Sequence, residues 1–215
     1  PPFRGKGRRG KSWVSPAGTG IWKSMVLRPP MSPMSASMLT LIAGLAVVRG
    51  VKESTGLEAM IKWPNDAVLN GKKICGILTE MSTEVECIRY VIPGIGINVN
   101  MDGFPEEIKA TATSLKLEAG RSIKRSLVIA AVADNFEYYY GIFMKTCDMS
   151  GLRDDYNKSL VNLGREVLVL DPRGQYKGKA LGIDGEGSLL VRREDGNVSA
   201  VISGEVSVRG IYGYV

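Results

Sequence analysis

Two short stretches hold the residues best suited to chemistry. One is Gly5-Lys6-Gly7-Arg8-Arg9-Gly10-Lys11, a glycine-punctuated run with four cations and no acid. The other is Lys62-Trp63-Pro64-Asn65-Asp66, in which one lysine closes the apolar pair Met60-Ile61 just before a rigid Trp-Pro turn. Glycine exposes backbone N–H groups and lets a chain curl around an anion, while Lys and Arg neutralise its charge. The expected target is a phosphate or a carboxylate. An ammonium on a flexible stem suits an anion whose charge shifts during reaction. Each stretch also has an ordinary explanation when taken alone. The first could be a solvated basic loop or a nucleic-acid contact, and the second a solvated strand-end lysine. The Gly-x-Gly-x-x-Gly spacing fails as a dinucleotide fingerprint, because no strand pattern precedes it.

These residues need elements to position them. Residues 1–20 are rich in Gly and Pro and read as loop. Residues 21–27 alternate as a strand, which Pro29, Pro30 and Pro33 stop. Ser35 or Ser37 caps a helix over 38–51. Residues 57–63 read as a strand ending at Pro64. Asn70-Gly71 between apolar runs signals a hairpin returning along 73–81. Residues 88–98 form an apolar strand interrupted by Pro93-Gly94 and Gly96, where the glycines mean a bulge, close packing or a planar ligand against bare backbone. Residues 101–124 look irregular apart from a short helix near 105–110, and 126–144 is the clearest long helix, followed by another over 151–162. Beyond Gly164 come short alternating strands at 166–170, 174–183, 188–193, 197–202 and 206–209, separated by tight turns. That pattern predicts a small barrel, with a boundary dividing residues 1–163 from 164–215.

Composition narrows the chemistry. The chain has 215 residues, is 44% hydrophobic and 23% charged, and carries a net charge of +6. That suits a globular protein with anionic ligands and is too mild to imply nucleic acid. It has no histidine, which excludes Ser-His-Asp and Cys-His catalysis and His-ligated zinc. No residue is assigned as a metal ligand. Cys75, Cys87 and Cys147 are an odd, widely spaced set that fits a reducing compartment and core packing. No secretory signal or bilayer-length apolar run is visible, and the expected location is the cytoplasm. The chain opens on Pro1-Pro2 rather than Met, so upstream sequence is expected.

The wider motifs carry a resemblance. From Gly5 the order is basic glycine loop, Trp13, Ser15-Pro16, Gly18-Thr19-Gly20 and then a strand. It is similar to the biotin protein ligase pattern GRGRxGRxWxSPxGxGLYxS, with Lys6 and Lys11 in place of arginines. The run KWPNDAVLNGKKICGILTEM over 62–81 resembles that family's KWPNDxxxxxxKxxGILxE. Gly94-Ile95-Gly96-Ile97-Asn98-Val99 resembles its GIGINV, and Ser203-Gly204-Glu205-Val206-Ser207-Val208-Arg209 its closing GGEVSVR strand.

The resemblance implies an α+β fold. It has a mixed sheet with flanking helices of the class II synthetase-like kind, its first strand and helix missing here, plus a small SH3-like β-barrel. It implies ATP-dependent formation of biotinyl-5′-AMP and transfer of biotin to a lysine of a biotin carboxyl carrier protein. Lys62 and Arg8 would be the catalytic cations. Lys6, Gly7 and Arg8 would hold biotin's carboxylate and the adenylate phosphate, and Lys62 would bridge the reacting oxygens. Backbone groups around Gly76, Ile77 and Leu78 would line the biotin ring. Asn98 would lie by the adenine, whose edge its donor and acceptor suit. Arg9 and Lys11 would aid the leaving pyrophosphate, with Mg²⁺ on the triphosphate. Trp13, on the ATP side, would pack to order the loop. Asp66 either caps the turn or touches the metal, and the structural role is favoured.

Two departures stand out. The family's Ser-Thr-Asn segment, which holds the ureido ring, is absent, and its Gln-Thr pair is replaced by Pro2-Phe3. Residues 1–215 alone are therefore expected to turn over weakly. DNA enters only if the parent carries an N-terminal winged helix. The oligomeric state stays open, a homodimer included, and no membrane partner is expected. The alternatives are a lipoate-protein ligase, which lacks the KWPND setting, and a nucleic-acid-binding module. The latter would need surface aromatics on the barrel, where the sequence offers Tyr176, Tyr212 and Tyr214.

Overall fold

The computed structural model describes residues 3–6, 12–84, 87–171, 174–203, 207–210 and 214–215, with backbone alone at 3–6, 12–15 and 207. The chain starts with an antiparallel ribbon of β1 (Phe3–Lys6) and β2 (Ser12–Ser15), where the sequence reads as loop. Glycines and cations hide the strand pattern, yet pairing Gly5 with Trp13 and Lys6 with Ser12 satisfies backbone groups that a loop would leave to water.

The main sheet has five strands in the order β3-β7-β6-β5-β4. They are β3 (Gly20–Ser24), β4 (Met60–Lys62), β5 (Asp66–Leu69), β6 (Lys72–Glu84) and β7 (Cys87–Asn98). Every ladder in it is antiparallel, and parallel pairing is confined to the isolated bridges Ile61–Leu160 and Lys73–Ala112. The Asn70-Gly71 signal holds: both residues have positive φ, 49° and 76°, as a two-residue hairpin turn demands. This turn sets the register that returns β6 beside β5.

Helix α1 (Pro33–Ser37) leads into α2 (Leu39–Thr55). The helix expected over 38–51 is α2, which starts from Met38 with no side-chain cap in place of Ser35 or Ser37; Ser32 caps α1, where Pro33 takes the first helical position and its missing N–H costs nothing. Gly56, left-handed at φ 81°, ends α2. Residues 33–55 are long and apolar enough to cross a membrane, contrary to the sequence reading. In the fold most of this stretch is buried, as in a core helix. Leu39, Leu41, Ile42, Leu45, Val47 and Val51 pack between the sheet and α5 (Arg125–Phe143). Each such side chain contributes about 1.5–3 kcal/mol on burial.

In chain order α3 (Glu106–Lys109) and α4 (Leu115–Ala119) come between β7 and α5. The second was not expected, although its signals are present: Ser114 caps it and Gly120 closes it. After α6 (Arg153–Ser159) comes a second antiparallel sheet, order β11-β10-β9-β8-β12. Its strands are β8 (Glu166–Asp171), β9 (Gly174–Ile183), β10 (Leu189–Arg193), β11 (Val198–Val201) and β12 (Ser207–Gly210). The two sheets are tied through Trp63, 1% exposed, whose indole Nε1–H donates to the Gly187 carbonyl at 3.1 Å. Helix α6 is tied to the second sheet as well, through the Ile183 N–H, which donates to Asn157 Oδ1 at 2.9 Å.

Cys75 is buried, and burial pushes its thiol well above the usual range. This is the inert core cysteine that its spacing suggested.

Candidate active site

The register of the main sheet aligns one row of residues across all five strands. Trp22 of β3 faces Gly96 of β7, Gly96 faces Gly76 of β6, Gly76 faces Asp66 of β5, and Asp66 faces Lys62 of β4. Directly opposed residues share a face. The sequence's separate motifs thus meet in a single line, with a lysine and an acid at one end, two bare glycines in the middle and an indole at the other.

Glycine is needed at position 96. A Cβ on Gly96 would sit 2.6 Å from Trp22 Cζ3, so the indole lies directly on the strand. Gly96→Ala should displace that ring and cost about 1–3 kcal/mol by overpacking. A blue or red shift of the tryptophan emission with a lowered melting temperature would register it, and an unchanged spectrum would contradict the packing.

Lys62 is only 6% exposed. The Trp63-Pro64-Asn65 turn that follows it is held at three points. Trp63 N–H donates to Asn162 Oδ1 at 3.2 Å, Asn65 Nδ2 donates to the Ile77 carbonyl at 3.1 Å, and Ile77 N–H donates to the Asn65 carbonyl at 2.8 Å. The Trp63–Pro64 peptide bond is cis. Of the three residues expected along a biotin ring, Ile77 turns its side chain into the core and spends its backbone on Asn65. Gly76 and Leu78 alternate to the Lys62 side and are half-buried.

Asp66 is buried, and both its oxygens are engaged. Oδ1 accepts from Lys73 Nζ at 2.5 Å and Oδ2 accepts from the Tyr214 hydroxyl. The structural role favoured for Asp66 therefore has named partners. Lys73 is the third lysine of the KWPND-type run, after Lys62 and Lys72, and sequence reading gave it no role. Tyr214 was read only as a candidate barrel aromatic. Its ring lies over Lys62, with Nζ 4.1 Å from the centroid. Burial, then the Asp66 charge, raise the Tyr214 phenol far above its ordinary value.

Asn98 is buried and donates from Nδ2 to the Thr113 carbonyl at 3.1 Å, so part of its donor capacity is structural. Lys6 and Trp13 are placed by backbone only, toward the end of the β1–β2 ribbon at which the chain connects its two strands. Gly7, Arg8, Arg9 and Lys11 lie outside the described residues, as does Tyr212. Tyr176 stacks under the Arg193 guanidinium at 3.8 Å, and Tyr214 is turned toward Lys62. Neither ring offers the open stacking platform that a nucleic-acid module needs.

The architecture is that of the ligases that attach biotin or lipoate to proteins. The family model described as Biotin/lipoate A/B protein ligase family matches residues 1–98, and that described as Biotin protein ligase C terminal domain matches residues 163–209. The biotin–[acetyl-CoA-carboxylase] ligase of Paracoccus denitrificans is 32% identical over 197 residues, covering 88% of this chain and 80% of that protein. The structure of the Aquifex aeolicus biotin protein ligase in complex with biotin and ATP superposes with a TM-score of 0.82 at 31% identity, covering 95% of this chain and 84% of that one. Within that class, the chain belongs to the biotin protein ligase family. It is also 40% identical over 206 residues to the bifunctional ligase/repressor BirA of Bacillus subtilis, and it spans 63% of that relative's length.

Proposed function

We propose that this protein activates biotin with ATP and passes it to a lysine of a biotin carboxyl carrier protein, as a biotin–[acetyl-CoA-carboxylase] ligase does. The observation that carries the reading is the buried Lys62 ammonium at the end of a glycine-floored row, in a chain similar to an enzyme solved with biotin and ATP. In the first step a biotin carboxylate oxygen attacks the α-phosphorus of ATP, and the bond to pyrophosphate breaks. Two anions approaching to ~4 Å in a partly desolvated site repel by about 4 kcal/mol, so a fixed cation at the reacting oxygens is needed. Lys62 supplies it, and Lys6, Arg8, Arg9 and Lys11 add the remaining positive charge.

In the second step the carrier's ε-amine attacks the carbonyl of the mixed anhydride and AMP leaves. The anhydride is already activated, so deprotonation and positioning of the amine suffice and no histidine is required. Among the described residues no group of three or more His, Cys, Asp or Glu converges on a metal position. Mg²⁺ would arrive on the triphosphate, whose oxygens supply most of its ligands.

The test is exchange of labelled pyrophosphate into ATP by the full-length protein. Exchange that requires biotin is expected. Exchange driven by lipoic acid instead, or none with either acid, overturns the reading. Arg8→Gly should still form the adenylate but retain it poorly, so that biotin appears on bystander amines. Labelling confined to the carrier in that variant would remove Arg8 from adenylate retention.

A further inference from the structure

Asn98 stands on the same face of the main sheet as the glycine row. It lies two residues beyond Gly96 on β7 and is paired with Gly20 of β3. It is 3% exposed, and its Nδ2 donates to the Thr113 carbonyl at 3.1 Å. Among the described residues none donates to its Oδ1. A buried amide oxygen without a donor is costly, so it points to a ligand that supplies one. The direction of this amide is set from outside the sheet. Thr113 is itself buried, and its hydroxyl donates to Glu118 Oε1 at 2.6 Å. Glu118 Oε2 accepts from Asn70 Nδ2 at 2.5 Å, at the turn between β5 and β6. The same segment is laid along β6, where the Lys73 N–H donates to the Thr111 carbonyl at 2.8 Å and the Thr113 N–H to the Lys73 carbonyl at 2.9 Å. Glu118, on α4, thus ties Thr113 to the hairpin, and Thr113 ties the Asn98 amide to both.

With Nδ2 turned to Thr113, Asn98 presents Oδ1 and one remaining N–H. That pair matches the amine edge of adenine, where the exocyclic amine donates and the ring nitrogen beside it accepts. A base with a carbonyl in place of the amine would set two acceptors against each other. We propose that Thr113 and Glu118 are positioning residues for nucleobase selection: they fix the Asn98 amide so that its oxygen takes a proton of the adenine amine. The proposal rests on the reading that this protein activates biotin with ATP, and it deepens that reading by naming what aims the side chain that reads the base. An unanchored amide turns over by half a turn and then meets a carbonyl as readily as an amine, so selection needs the anchor. Thr113 and Glu118 make no contact with the nucleotide in this account. The ureido N–H of biotin would satisfy the same acceptor, and the test separates the two ligands.

The test follows biotin-dependent pyrophosphate exchange by the full-length protein with ATP and with inosine triphosphate, which carries a carbonyl oxygen in place of the amine. The unaltered protein should prefer ATP in kcat/KM. Thr113→Val removes the hydroxyl and keeps the shape, and Glu118→Ala removes the carboxylate. Each should raise KM for ATP about 3- to 10-fold, the worth of one hydrogen bond, with kcat and the KM for biotin changed less than about 2-fold. The preference for ATP over inosine triphosphate should fall by a similar factor. A role confined to packing would weaken both nucleotides alike and leave that preference unmoved. Thr113→Ser restores the donor and should recover most of it. An unchanged preference in Thr113→Val and Glu118→Ala overturns the proposal, as does a rise in KM for biotin in place of that for ATP. If Glu118→Ala does not fold, Thr113→Val alone decides. If the unaltered protein shows no biotin-dependent exchange, the functional reading fails and calorimetric binding of the two nucleotides decides this proposal. Equal affinity for them in the unaltered protein, no binding of either, or the same ratio in Thr113→Val then overturns it.

Discussion

Lys62→Ala should reduce biotin-dependent ATP–pyrophosphate exchange by about 100- to 1,000-fold, the scale set by removing one preorganised charge-stabilising donor. The size follows from where the ammonium sits. It is buried at the end of β4, under a tyrosine ring and beside a turn held at three points, so no solvent cation or neighbouring side chain can take its position at low cost. Lys62→Arg should not rescue, because a broad, delocalised guanidinium does not place a compact point charge at the position of the ammonium. Biotin binding, followed by calorimetry, should fall much less than the rate. A variant that exchanges at the normal rate would remove Lys62 from the mechanism. A variant that fails to bind biotin at all would give Lys62 a binding role in place of a catalytic one.

Trp63→Ala should cost about 3–5 kcal/mol of folding stability, as truncating a large core aromatic does. In a domain of this size that corresponds to a fall of roughly 10 °C in melting temperature. Trp63 is 1% exposed, fills space between the sheet and the second β domain, and donates to Gly187 across 124 positions of sequence. Trp63→Phe keeps most of the volume and loses the indole donor, leaving the Gly187 carbonyl to find another partner. It should cost only about 1–2 kcal/mol. Differential scanning calorimetry separates the two variants. If Trp63→Ala melts within a degree or two of the parent, the residue does not hold the two sheets together as the contacts describe. Because Trp63 adjoins Lys62, the alanine variant should also lose exchange activity, and the phenylalanine variant should retain most of it.

The two predictions divide the KWPND-type turn into a chemical end and a structural end. Asn65 belongs with Trp63, since its side chain and backbone both bind Ile77 and thereby lock the turn to β6. Asp66 belongs with Lys62, since it faces that lysine across the β4–β5 ladder and its carboxylate is itself held by Lys73 and Tyr214. Adjacent residues of one short motif therefore answer to different physics, burial in one case and charge placement in the other.

Much of this was legible in the residues themselves. Apolar spacing placed the long helices, the Asn70-Gly71 pair placed a hairpin, and five strand-and-turn units placed the second sheet, because those signals are local and the backbone obeys them locally. Motif order also nominated Lys62, Gly76 and Asn98 before any fold was known. The ribbon β1–β2 was missed because glycine and arginine mask strand alternation, and its pairing partner, rather than propensity, makes it a strand. The serine cap expected at the 38–51 helix is not there, because Pro33 opens a short helix one turn earlier, capped by Ser32, and the chain enters α2 from it through Met38.

The row from Trp22 to Lys62 needed the strand order, since register between strands distant in sequence is fixed by their joint packing. Tyr214 over Lys62, Tyr214 on Asp66 and Trp63 on Gly187 needed the tertiary structure altogether. No periodicity relates residues more than a hundred positions apart, and only the docking of two separately built sheets brings an aromatic ring from one onto a cation of the other. The sequence alone thus determined which groups this protein could use, and the folded chain decided which of them stand together.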